Sequence, residues 1–287
     1  MPPPEPTSTA QVPPAGNLLL DALDDADRGL VAPHCERAEV RRGDVLFRVG
    51  DDVGHVTFPL GRTVISFVVP LRDGKSVETA TVGHEGAIGG VVSQGYLPAF
   101  SQAVIQVGGT VMRIEAERLN AAKDASPAVR DLFVRYADCL IAQLLQSAAC
   151  NAVHPIEQRC LRWLLTLQDR IGPGDLPVTH DQLAEMMGVR RAYLSEVLGR
   201  MQRDGLVRTG RGRLSLVDRP RAEATACECY ASVRHHFSDV LGAIYARSGT
   251  LVALDPSRSN NLKPPAVGEA VMRRPGAKQP AGRGSGR

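Results

Sequence analysis

Between Thr179 and Val217 the chain runs THDQLAEMMGVRRAYLSEVLGRMQRDGLVRTGRGRLSLV, and this run limits the fold more than any other. Thr179-His-Asp-Gln182 has the spacing of a capping box, with Val178 and Leu183 placed as its hydrophobic staple. Leu183, Met186 and Met187 then recur at helical intervals until Gly188, which stops the helix. A second helix follows. Leu194, Val197, Leu198 and Met201 form its apolar side, and Ala192, Glu196, Gly199 and Arg203 its outer side, with Ser195 on the flank. Asp204-Gly205 closes it with a glycine cap. Two short strands around Gly210-Arg-Gly212 come next. Helix, glycine turn, helix and basic hairpin make a winged helix-turn-helix.

Each part has a physical reason to meet a polyanion. A capped helix start offers free N–H groups and a positive dipole end. The second helix is apolar on one side and small or polar on the other, as a helix in a major groove must be. The hairpin arginines suit phosphates, which supply affinity rather than sequence choice. Residues 179–221 hold nine Arg against five Asp or Glu. This local excess is masked by a whole-chain charge of only +3. Thr179, His180, Arg190, Arg191, Ala192 and Tyr193 are expected to face DNA. So are Ser195, Glu196, Arg200, Arg208, Arg211 and Arg213.

The remaining chain divides by pattern. Residues 1–16 are Pro-rich and expected to be disordered. The leucines at 18, 19, 20, 23 and 30 read as one or two short helices. From Ala38 to about Ile114, Val, Thr and Ile alternate with polar residues, and glycine recurs every few positions. That predicts an antiparallel β-roll within 17–126. VVPLRDGKSVETATV is its clearest hairpin, turning at Asp73-Gly74. Residues 127–154 read as one long helix and hinge, opened by Pro127 and ended by Pro155. Val129, Phe133, Tyr136, Leu140 and Leu144 form its main stripe, widened by Leu132, Ile141 and Leu145. So broad an apolar girth implies two buried faces. One would lie on the roll and the other on a second copy, and the main stripe is assigned to dimerisation. A DNA-binding domain is expected over 155–222, a C-terminal helix over 223–247 and a disordered basic Pro/Gly-rich tail over 248–287. From Arg258 on, the tail has seven basic residues against Glu269 alone.

The fold class is therefore α+β: an antiparallel cupin- or jelly-roll-like β-roll, a long dimerisation helix and a winged helix-turn-helix. That order resembles the Crp/Fnr family of bacterial transcription regulators. "DVLFRVGDDVGHVTFPLGRTVISFVV" is similar to the family's roll. "LRDGKSVETATVGHEGAIGG" is similar to the hairpin and turn before its effector pocket. "THDQLAEMMGVRRAYLSEVLGRMQRDGLVR" is similar to its DNA-binding motif, and "CLRWLLTLQDR" and "EATACECYASVR" fit one branch. The resemblance covers about residues 18–240. It implies a cyclic-nucleotide-binding-like domain, a homodimer joined along the long helices, and double-stranded DNA and RNA polymerase as partners.

Two departures are informative. Cyclic-AMP-binding members hold the nucleotide with a Gly-Glu pair and then an Arg-Ser or Arg-Thr pair. Here Ile88, Gly89, Gly90 and Val91 occupy the first region, with glycine in place of glutamate. Ser101 and Gln102 occupy the second, with no arginine near. A buried phosphate without a cation is costly. These six residues are the candidate effector pocket for an unknown small molecule other than cyclic AMP, and no cofactor is predicted. At the recognition helix the family's Glu, Ser or Gly, then Arg correspond to Ala192, Ser195 and Glu196. A different DNA site is expected.

No metal site is assigned. Only Cys35 lies near the N-terminus, which excludes a four-cysteine iron–sulfur cluster there. Cys227-x-Cys229, read on one helix, would point its side chains about 200° apart. His34, His55 and His84 are candidate haem ligands against a simpler reading as solvated loop histidines. Cys139, Cys150 and Cys160 carry a rival reading as a redox sensor, against buried packing thiols, and the roll carries one as a small-molecule sensor, a cyclic nucleotide included, that controls DNA binding. A dimeric adaptor without DNA binding is the other rival. No phosphate-binding loop, nucleophile elbow or H-E-x-x-H supports an enzyme. No apolar run reaches the roughly 18 residues of a membrane span, and no signal peptide is visible, so a cytoplasmic protein is expected.

Overall fold

The computed structural model describes residues 16–260 apart from 73, 75 and 91–97. The expectations for 1–15 and for 261–287, and those for Asp73 and Val91, fall outside the described residues. Two short helices, α1 (Leu18–Asp21) and α2 (Asp25–Val31), open the fold. Buried Asn17 caps α1 through its side-chain oxygen, and its amide donates to the Pro59 and Gly86 carbonyls. One side chain thus caps a helix and pins it to the following domain.

That domain is the antiparallel roll. Its strands are β1 (Glu36–Val40), β2 (Val45–Phe47), β3 (His55–Pro59), β4 (Val64–Pro70), β5 (Ser76–Val82), β6 (Ile88–Gly89), β7 (Gln102–Val107) and β8 (Gly109–Glu115). They form two four-stranded sheets, ordered β1-β8-β3-β6 and β2-β7-β4-β5. The β4–β5 hairpin closes with Pro70 opposite Ser76. Ile65, Val82, Ile88, Ala103, Ile105 and Val111 fill the space between the sheets, with Phe47 and Phe67 against them.

Strand β4 is apolar except at Ser66 because both its faces are covered. Ile65 and Phe67 point into the roll, whereas Val64 and Val68 join the core of the C-terminal domain. A continuous apolar run is the expected sequence for such a strand.

Helix α3 (Ala116–Ala125) leads to α4 (Pro127–Val153). Ser126 caps α4, accepting from the Val129 amide at 3.2 Å, and Pro127 sits in its first turn. At 1.5 Å per residue α4 is about 40 Å long. Most of the stripe expected to join a second copy is instead covered by the chain itself. Val129, Phe133 and Tyr136 are buried within the chain, and Leu140 packs on the roll interior. Tyr136 donates to the Ala87 carbonyl at 2.8 Å. Leu144 is only 37% exposed, at the margin. The face left open carries Val134 (62% exposed), Ile141 (52%) and Leu145 (67%). A helix apolar nearly all round gives no periodicity by which to tell its two faces apart.

After Pro155 come α5 (Ile156–Ile171), α6 (His180–Met187), α7 (Arg191–Arg203), β9 (Val207–Gly210) and β10 (Arg213–Leu216). Helix α8 (Arg219–Thr225) follows, and the C-terminal helix expected over 223–247 is the shorter α9 (Cys229–Leu241), because Ala226 is extended. The tail expectation also changes at its start. β11 (Ala243–Tyr245) pairs with β12 (Leu251–Leu254), and Leu251 and Leu254 are buried in the core that holds α1. The basic run begins only at Arg258, so an apolar hairpin precedes it.

Candidate nucleic-acid interface

The helix pair is built as its local signals require. The Gln182 amide donates to Thr179 Oγ1 at 3.2 Å, and the Thr179 amide donates to Gln182 Oε1 at 3.0 Å. Gly188 ends α6 at φ +67°, a conformation L side chains rarely adopt. A Cβ there would lie 3.3 Å from Val77 of β5, so the turn rests on the roll. Leu183, Met186, Met187, Leu194, Val197, Leu198 and Met201 share one core with α5.

The outer side of α7 presents Ala192, Glu196 and Arg203, with Arg190 and Arg191 exposed at its start. Tyr193 is 46% exposed beside them. Ser195 is half-buried and hydrogen-bonded at 3.2 Å to His180 Nδ1, so these two brace the turn. Gln202 accepts from both the amide and hydroxyl of Thr209, which ties α7 to the β9–β10 wing. Arg208, Arg211 and Arg213 are exposed on that wing.

Three of these arginines already have partners. Arg191 pairs with Asp181, Arg200 with Glu157, and Arg213 with Asp175. Such surface pairs contribute about 0–1 kcal/mol, so a phosphate can displace the carboxylate at little cost. Serine and arginine donors also hold Asp175 below its usual carboxylate range: the Ser215 hydroxyl first, then Arg213 and Arg208.

The orientation of this domain is set by buried polar contacts to the roll. Arg170 of α5 donates through Nε to Glu85 at 2.8 Å and through Nη2 to the Thr81 carbonyl at 2.9 Å. Glu78 of β5 accepts from Ser66, Thr81 and the Trp163 indole at 2.6, 2.6 and 2.7 Å. Burial raises the Glu78 pKa, and those donors together with Arg162 oppose the rise. Asp169, also raised by burial, accepts from Arg219 and Tyr230 and faces Arg234. Sequence pattern could not reveal the contacts of Trp163, Asp169 and Arg170, because their partners lie 50 residues or more away.

The candidate effector residues that are described lie in and beside the roll strands. Ile88 is buried in the roll interior. Gly89 has φ +103°, and a Cβ there would meet the His55 carbonyl at 2.1 Å, so the glycine is needed for packing. Ser101 is half-buried, and Gln102 begins β7. Among the described residues, the clefts lined by Glu85 and Tyr230, by His34 and His55, and by Arg37 and Thr63 lie elsewhere. Of the candidate haem ligands, His34 and His55 line one of those clefts, whereas His84 Nε2 is bonded to the Leu251 carbonyl at 3.1 Å.

The cysteines part company. Cys139 and Cys160 are fully buried, and burial raises both thiols, Cys160 to about 12, which favours the packing reading for this pair. Cys150 instead lies in a group with His154, Cys227 and Cys229. The expectation that Cys227 and Cys229 are poorly placed to bind one metal jointly is corrected, since their Sγ atoms lie within 4.8 Å of each other. Cys227 precedes α9 and Cys229 is its first residue, so helical spacing does not separate them.

Residues 158–224 match the family model described as a Crp-like helix-turn-helix domain. No curated protein sequence matches the chain. Solved structures do. The c-di-GMP responsive global regulator CLP of Xanthomonas campestris has a TM-score of 0.57 at 18% identity, over 68% of this chain and 100% of its own. FixK2 of Bradyrhizobium japonicum has a TM-score of 0.57 at 14% identity, over 67% and 98%. TTHB099, a CRP-family transcriptional regulator of Thermus thermophilus, has 0.55 at 18%, over 66% and 96%.

Proposed function

We infer from a Crp-like helix-turn-helix domain, carried on the fold of the Crp/Fnr transcription regulators, that this chain is a homodimeric, sequence-specific DNA-binding regulator and not an enzyme. The observation that carries the reading is the outer side of α7. It is free of intrachain packing at Ala192 and Glu196 and is flanked by Arg190 and Arg191 at one end and the wing arginines beyond. In this reading α7 enters the major groove. Glu196 accepts from cytosine N4, Ala192 meets a thymine methyl, and Arg208 and Arg211 hold phosphates.

The second copy is assigned to the open face of α4. Val134, Ile141, Leu145, Ala148 and Ala152 lie within about 40° of one line along that helix, and all five are exposed. Val134, Ile141 and Ala148 recur at the seven-residue interval of paired helices. No charged side chain interrupts the line between Ile141 and Ala152.

The effector of this regulator is not cyclic AMP in our reading. The apolar filling of the roll and the lack of an arginine near Ser101 and Gln102 in the sequence support that. RNA polymerase is its expected further partner.

Selection of purified protein on a randomised duplex pool tests the proposal. The expected result is a two-fold symmetric site bound with steep salt dependence. Binding that is absent at low salt, or equal for all sequences, would overturn it.

A further inference from the structure

At the C-terminal end of α4, three thiols and one imidazole converge from two distant parts of the chain. The donor atoms of Cys150, His154, Cys227 and Cys229 all lie within 4.8 Å of one another. Cys150 Sγ is 3.5 Å from Cys227 Sγ, and Cys229 Sγ is 3.4 Å from His154 Nδ1. Around a tetrahedral zinc, Zn–S bonds of about 2.3 Å and Zn–N bonds of about 2.0–2.1 Å set S···S edges near 3.8 Å and S···N edges near 3.5 Å. These two edges of the cluster lie within about 0.3 Å of those values, and the other four are at most 4.8 Å.

Its surroundings suit a metal as well. His154 turns Nδ1 toward Cys229 and Nε2 toward Glu228, at 3.2 Å. A carboxylate that receives the other ring N–H is what a metal-bound histidine needs to fix its tautomer. Gln146 donates to Cys229 Sγ at 3.0 Å, as suits a thiolate. Three thiolates, a neutral imidazole and one divalent ion carry a net charge of −1. Arg159 and Arg162 lie close enough for their charges to act on these thiols, and their Nε atoms are buried without a hydrogen-bond partner. They supply the compensating charge.

We propose that Cys150, His154, Cys227 and Cys229 form a tetrahedral zinc site. All four ligands come from the protein, leaving no open position, so the ion is structural rather than catalytic. It joins the end of α4, just before Pro155, to the start of α9. It therefore clamps the hinge between the long helix and the DNA-binding domain from both sides.

The test uses the full-length chain, purified anaerobically under reducing conditions, with metal content measured by mass spectrometry. Stoichiometric zinc is expected, with loss of thermal stability on chelation. Cobalt(II) in its place should give thiolate charge-transfer bands and intense tetrahedral d–d bands. C227S and H154A should abolish or displace these bands, and C139S and C160S should leave them unchanged. E228Q should weaken cobalt affinity about 10–100-fold while keeping the tetrahedral spectrum. That variant keeps the test decisive if C227S does not fold. Sub-stoichiometric metal together with no charge-transfer band on adding cobalt would overturn the proposal. So would a Cys150–Cys227 disulfide in the metal-free protein as isolated, or cobalt bands that persist in C227S.

Discussion

Arg170 and Glu85 form an ion pair at 2.8 Å, with 8% and 2% of their side chains exposed, and this pair locks the first helix of the DNA-binding domain to the roll. Arg170 also donates to Gln143 of α4, so one guanidinium touches all three parts of the molecule. Arg170→Ala would strand the Glu85 charge in a buried site. The expected loss is about 3–5 kcal/mol of unfolding free energy, measured by denaturant titration. Combining it with Glu85→Gln should recover part of that loss. If the double variant is no more stable than the single one, the pair is not the source of the effect.

Glu78 predicts a pH dependence of definite sign. Its folded-state pKa is raised above the ordinary 4.5 by burial. The proton is therefore held more tightly in the folded chain. The resulting stabilisation is full below the unfolded value and is lost as pH rises through the folded one. Glu78→Gln keeps an oxygen to accept from Thr81 and Trp163 and carries no charge. Thermal melts across mildly acidic to neutral pH should show that this part of the slope vanishes in the variant. An unchanged slope would mean that another group produces it.

The base-facing role of Glu196 separates preference from affinity. Glu196→Arg should move the selected site at one base-pair position, by about 1–3 kcal/mol of discrimination. Arg211→Ala should instead weaken binding to all duplexes alike and lower the salt slope by about 1. Competition binding at several salt concentrations distinguishes the two. A Glu196→Arg variant that changes affinity alone would remove this residue from the recognition set.

The open face of α4 predicts the oligomer. Ile141→Asp places a charge in the proposed seam, and light scattering should then report monomers at concentrations where the parent is dimeric. Phe133→Ala, on the face packed against the roll, should instead cost about 3–5 kcal/mol of stability and leave association comparatively intact. The reverse pattern would restore the opposite assignment of the two faces.

What could be read from the chain alone follows the range of each signal. The capping box at Thr179 and the stop at Gly188 are encoded within a few residues, and both stand where the pattern put them. The roll strands announce themselves by alternation and glycine. Helix α4 was legible as a long helix apolar on more than one side, but not as to which side packs within the chain, because Phe133 and Ile141 are equally apolar. The cluster at Cys150 was illegible because Cys227 lies 77 residues away and was read within a helix that begins only at Cys229. A cysteine and a histidine four apart at a helix end, with a later C-x-C, were the available signal. Glu78 and Arg170 gave none, since a buried charge and a solvated one look alike in sequence.

Strand β4 has no idle side. Ile65 and Phe67 fill the roll, and Val64 and Val68 lie under the DNA-binding domain, so every second position answers to a different half of the molecule. A saturation scan along 64–68 should therefore lack the alternating tolerance of an ordinary surface strand. Over evolutionary time the two halves are not free to drift apart: a change of volume in β4 that suits one must be accommodated by the other, and swapping either half between relatives would require the strand to travel with it.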